Sequence, residues 1–174
     1  MTFVDGHRDP VLTTLARWAM FAGTDDRALI GWGVAALVIV IAGRWWRLGV
    51  AAGGAVIAAQ AIDRALKTII ARPRPPADLS IVQVGSWSMP STVAAMTAAF
   101  ATALFLSIAW PTTTVRRSVG AALTLVVVTV GCAMVYLGAH WPTDVLAGWL
   151  LGVSVGVVAA QAANSRWANS FGIM

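Results

Sequence analysis

Apolar residues run along this chain in long stretches broken by short polar clusters. Five stretches have spanning length: about 27–45, 47–70, 90–110, 117–138 and 142–163. Each is near the roughly 20 residues that a helix needs to cross the hydrocarbon of a bilayer. A shorter stretch, PVLTTLARWAMFA at 10–22, puts Val11, Leu15, Trp18 and Ala22 on one helical face, with Thr14 and Arg17 elsewhere. That pattern predicts a helix lying in the membrane interface. Thr24 or Asp25 then suits the N-cap of the first spanning helix. The one long polar connection, ARPRPPADLSIVQVGSWSM, separates the second and third spans, and its three prolines within four positions stop the second helix. The expected fold is all-α: one domain over 1–174, a polytopic bundle of five spanning helices with an N-terminal amphipathic interfacial helix.

Composition strengthens this picture. Of 174 residues, 59% are hydrophobic and 11% charged, against about 25% charged in a soluble domain. Mean hydropathy is +0.78. Twelve Lys and Arg face seven acids, all Asp. The basic residues are scattered between apolar spans, so nucleic acid is not an expected partner. Cys132, alone in an apolar run, allows no internal disulfide and no cysteine metal site. Residues 1–9 are polar, unlike the cationic start of a cleavable signal. Small residues are dense at 51–55, and Gly148, Gly152 and Gly156 recur every four residues, as close helix packing requires. Arg44, Arg47, Arg116, Arg117 and Arg166 fall on one side of the bundle, yet Arg8, Arg17, Arg27, Arg72 and Arg74 fall on the other. Raw counting of positive charge therefore does not orient the chain. Five aspartates accompany the second set, and the N-terminus and long polar loop are placed outside.

Alternating spans bring three polar sets to that outer level. They are Lys67 with Arg72 and Arg74, then Pro90, Ser91 and Thr92, then His140 with Asp144. Charges beside spans are costly and point to function. Lys and Arg offer directed donors to phosphate oxygens, and a helix N-terminus adds free N–H groups. His140 and Asp144, four apart, share a helical face; a carboxylate on one ring nitrogen makes the other a better nucleophile or base. Each set has a plainer explanation: Lys67 could pair with Asp63, Arg72 could snorkel, and a lone His-x3-Asp could be structural.

With these residues in view the sequence resembles the type 2 phosphatidic acid phosphatases, or lipid phosphate phosphatases. Their pattern is K-x6-R-P, then P-S-G-H, then S-R-x5-H-x3-D. KTIIARPRP, from Lys67 to Pro75, matches the first element in full, and YLGAHWPTDVLAGW carries the third's His140 and Asp144. The resemblance covers nearly the whole chain. It implies His140 as nucleophile on phosphorus, Asp144 as its orienter, Lys67 and Arg74 as phosphate ligands, and Ser91 and Thr92 as further phosphate contacts, with no metal and no cofactor. Soluble haloperoxidases share the motifs, but the hydropathy excludes them.

Four positions depart from the pattern, one of them Ala133, where the family has serine. Val93 stands where the family has the histidine that protonates the leaving oxygen, and Thr92 where it has glycine. Met134 stands where it has a phosphate arginine. The resemblance therefore implies a cell-membrane, multi-pass protein with an extracytoplasmic site that binds a lipid phosphate, such as a polyprenyl phosphate, with weak or lost phosphatase activity, or that supports a partner membrane protein. The alternative is an active lipid phosphate or pyrophosphate phosphohydrolase working through phospho-His140, with His7 as a substitute acid.

Overall fold

The computed structural model describes residues 8–43, 45–82, 85 and 87–170. His7, Arg44 and the side chain of Arg166 lie outside the described residues. All regular structure among the described residues is helical: α1 (Pro10–Thr24), α2 (Asp26–Ala42), α3 (Trp46–Ile70), α4 (Thr92–Ser107), α5 (Thr113–Tyr136) and α6 (Pro142–Ser170). One 3-10 turn, Ala77–Leu79, interrupts the long loop. The expected boundaries hold to a few residues at most ends. At the start of α5, Thr112 accepts from Val115 N–H at 3.1 Å and begins the helix four residues early. Asp25 rather than Thr24 caps α2, accepting from Arg27 N–H at 2.9 Å.

The centre of the bundle is α4 packed between α6 and α3. Ala94, Ala95, Ala98, Ala99 and Ala103 of α4 are buried. Gly148, Gly152 and Gly156 of α6 face them, so a Cβ at Gly152 would run into Ala95 O and come within 2.7 Å of Ala98 Cβ. Ala52, Ala55 and Ala59 of α3 meet Ala99 and Ala103 on the other side. Lipid tails are as apolar as side chains, so it is close backbone approach that favours this packing. Gly53 and Gly54 play no such part: nothing lies within 4 Å of a Cβ added there.

Helix α1 presents its apolar stripe outward, with Val11 66%, Leu15 60% and Trp18 65% exposed, and buries Ala16. Asp9 caps it, accepting from Val11 and Leu12 N–H. The hydroxyl of Tyr136, at the end of α5, accepts from Asp9 N–H at 2.9 Å and donates to Asp9 O at 3.1 Å. Arg17 donates to Ile81 O at 3.1 Å. These bonds lay α1 across the long loop and the end of α5.

Among the described residues only α5 and the Pro142–Asn164 stretch of α6 are both long and apolar enough to cross a membrane by length and composition alone. The remaining three expected spans fall short for separate reasons. α2 has 17 residues and α4 has 16. α3 has 25 but carries Arg47, Asp63, Arg64 and Lys67, three of them near the end that faces the polar loop.

Gly152→Val should destabilise the bundle by about 1–3 kcal/mol through overpacking, while Gly53→Ala should leave it unchanged. Thermal melting in detergent compares the two.

Candidate functional site

Three chain junctions meet at one end of the bundle. The end of α3 brings Asp63 and Lys67, one turn apart and both buried. Ala71, left-handed at φ 46°, closes that helix and sends the chain into the loop with Arg72 and Arg74. The start of α4 brings Ser91 and Thr92, and the α5–α6 turn brings His140 and Asp144. Gly138 makes that turn at φ +72°, pressed against the backbone of Leu79 and Ser80, where a side chain has no room.

Asp144 is the hub of these junctions. Its carboxylate is fully buried. Oδ1 accepts from Arg72 Nη1 at 2.9 Å, and Oδ2 accepts from Trp141 N–H at 2.9 Å. Its backbone carbonyl accepts from Ser91 N–H at 2.9 Å. His140 Nδ1 stands 3.6 Å from Oδ2. That is ion-pair range and long for a hydrogen bond, as pairs of this kind often are before a substrate tightens them. On the far side of the ring, Arg74 Nη1 donates to Nε2 at 3.4 Å and to Ala139 O at 2.6 Å. The imidazole is thus set between a carboxylate and a guanidinium.

Lys67 is held by Asp63 at 3.8 Å and by the carbonyls of Pro90 and Ser88. Thr92 donates to Asp63 Oδ2 at 2.6 Å, so its hydroxyl turns toward α3. Ser91 Oγ, His140 Nδ1 and Asp63 Oδ1 are buried without a hydrogen-bond partner among the described residues. An unpaired buried polar atom costs about 1–3 kcal/mol.

The structure therefore brings together Lys67, Arg74, Ser91, Thr92, His140 and Asp144. Val93 and Met134 lie elsewhere in character: 4% and 1% exposed, they belong to one apolar cluster with Ala16, Ala94, Ala133, Leu137 and Val145. Val93 also touches α1, 2.9 Å from where a Cβ on Gly23 would stand. Two participants were given no role in the site by the sequence. Asp63 was legible only as a salt-bridge partner four residues before Lys67. Arg72 was legible as a nearby cation but not as the partner of Asp144. Away from this end, α4, α5 and α6 enclose an apolar groove of about 600 Å³ lined by Phe105, Leu123 and Trp149, among others.

Burial holds the pKa of His140 below the usual 6.5; Arg74 and Lys67 push the same way and Asp144 opposes them. The ring is neutral at pH 7, the form with a free nitrogen lone pair. Because the folded value is depressed, the unfolded chain binds the proton first as pH drops. The contribution of His140 to stability is whole above 6.5 and is lost as pH falls through the folded pKa. His140→Gln should flatten that part of the melting-temperature profile, measured between neutral and mildly acid pH.

The sequence model of the PAP2 superfamily matches residues 48–168, which contain every one of these site residues. No curated protein sequence matches the chain. Two solved structures share the fold. One is described as the first transmembrane PAP2 type phosphatidylglycerolphosphate phosphatase from Bacillus subtilis. It is 23% identical with a TM-score of 0.81, over 94% of this chain and 82% of that one. The other is Aquifex aeolicus LpxE, 23% identical with a TM-score of 0.72, over 91% of each chain. With its family match over most of its length the chain belongs to the PAP2 superfamily, and it has the fold of these two structures, one of them a transmembrane phosphatase.

Proposed function

We propose that this chain is a five-span membrane protein, one domain over 1–174, that binds the phosphate of a lipid at an extracytoplasmic site and turns it over weakly or not at all. In this reading Lys67, Arg74 and Ser91 face the phosphate, Thr92 contributes its N–H at the start of α4 while its hydroxyl stays on Asp63, and His140 and Asp144 are the remnant of the reactive pair. A polyprenyl phosphate is one candidate lipid, and presenting it to a partner membrane protein is one use for a binder that does not hydrolyse. The lipid phosphate class is supported by the Bacillus subtilis neighbour, whose description names such a substrate.

One observation carries the weak-turnover reading. Val93 and Met134, at the positions of the family's acid and arginine, sit in the same sealed apolar cluster. Neither can transfer a proton or hold a phosphate oxygen. An alkoxide is a poor leaving group, so its acid matters: a general acid is worth about 10²–10⁴ in rate. A removed charge-stabilising donor costs about 10²–10³. Lost independently, the two remove on the order of 10⁴–10⁷.

A second reading, an active phosphohydrolase using phospho-His140, draws on the placement of Arg74 Nη1 at Nε2, where a phosphate under attack by that nitrogen would find a cation. It suits pyrophosphate esters best, whose leaving groups need the acid least.

Phosphate release by purified protein from lipid phosphates and pyrophosphates, beside His140→Ala, separates the readings. The expected result is release near the His140→Ala level, with lipid phosphate binding retained and weakened by Arg74→Ala. Robust release that His140→Ala abolishes would sink the weak-turnover reading. Combining Thr92→Gly, Val93→His and Met134→Arg should raise release by at least about 10²; no gain would mean that the pocket has changed beyond those positions.

A further inference from the structure

Arg72 lies outside the K-x6-R-P positions, which Lys67 and Arg74 fill. Its guanidinium nevertheless makes directed contacts at this end of the bundle. Nη1 donates to Asp144 Oδ1 at 2.9 Å and to Thr143 Oγ1 at 2.6 Å, and the group lies 5.7 Å from the centre of the Trp141 ring. Arg72 O is itself pinned, accepting from Ser88 N–H at 2.9 Å and Ser88 Oγ at 3.1 Å. A planar cation fixed at both ends suits holding another group in place.

The two oxygens of Asp144 have separate duties. Oδ1 is taken by Arg72, and Oδ2 is shared between Trp141 N–H and the Nδ1 edge of His140. A carboxylate left with Trp141 alone could swing about χ2 and offer either oxygen. We propose that Arg72 is the positioning residue of the His140–Asp144 pair: by holding Oδ1 it turns Oδ2 onto Nδ1 and fixes the ring as its Nδ1–H tautomer, with Nε2 unprotonated. This rests on the reading of that pair as the phosphate-facing one. The other charged groups that face His140 are Arg74 from the loop and Lys67 and Asp63 from α3. Arg74 donates to Nε2, which favours the same tautomer but cannot orient the carboxylate. A metal-bound histidine is fixed in the same way by the group on its second nitrogen.

The chain holds two histidines, so the test is direct. In a His7→Gln background with 15N-labelled histidine, ring nitrogen shifts in micelles report the tautomer of His140 alone. The starting protein should be mainly Nδ1–H. Arg72→Gln should reverse the ratio toward Nε2–H, as Asp144→Asn should, and Arg72→Lys should give an intermediate ratio. An unchanged ratio in Arg72→Gln overturns the proposal, even if phosphate affinity falls, since that pattern belongs to a direct phosphate ligand. Should Arg72→Gln fail to fold, Arg72→Lys decides: a ratio shifted toward Nε2–H supports the proposal and an unshifted one overturns it. A starting protein already Nε2–H overturns it too. None of these outcomes bears on lipid phosphate binding, which is measured separately on the unsubstituted protein and tests the underlying reading.

Discussion

A carboxylate taken out of water must be surrounded by donors or it will not stay ionised. At Asp144 that requirement organises the whole polar end of the bundle. Its side chain draws in Arg72 from the loop after α3 and the backbone of Trp141, and faces His140. Its carbonyl takes Ser91 N–H at the start of α4. Three segments, the loop after α3, the start of α4 and the α5–α6 turn, therefore meet at one residue. Asp144 is buried while Arg72 is partly exposed, so solvent screens the pair from the Arg72 side.

Below this end the logic changes. Small residues on α3, α4 and α6 let three backbones approach closely, while α5 meets α4 across an apolar groove. A tight trio with a fourth helix packed more loosely gives the polar end a rigid floor. The same trio supplies Lys67, Ser91 and Asp144, so the residues that need the best positioning stand on the best-packed elements. Asp63 extends the polar network one turn deeper into α3, tied to α4 through Thr92.

Much of this was legible in the sequence, because helix periodicity and alternation fix which ends lie together. Lys67, Arg74, Ser91, His140 and Asp144 fall at junctions that alternating helices must bring to one level. Periodicity says which face a residue occupies but not what it touches. The Arg72–Asp144 pair spans 72 positions and Thr92–Asp63 spans 29, and no local rule connects them. The count of five spans drew on apolar runs that flanking polar residues extend. As helices, α2 and α4 are shorter than those runs, and two of the four charges on α3, Asp63 and Lys67, belong to the site. The outward stripe of α1 was readable as an interfacial face, whereas its bonds to Tyr136 and Ile81 were not.

The shared cluster of Val93 and Met134 has a consequence for substitution at either position. Residues of one close-packed cluster share its burial, so a change at one is felt by the rest. A histidine at 93 alone would bury an imidazole among Ala16, Leu137 and Val145, and an arginine at 134 alone would bury a guanidinium there. Either change alone would put a group that needs a hydrogen-bond partner into an apolar cluster and would cost stability for that reason. The cluster therefore works as a latch: its own packing guards both positions against polar residues entering one at a time.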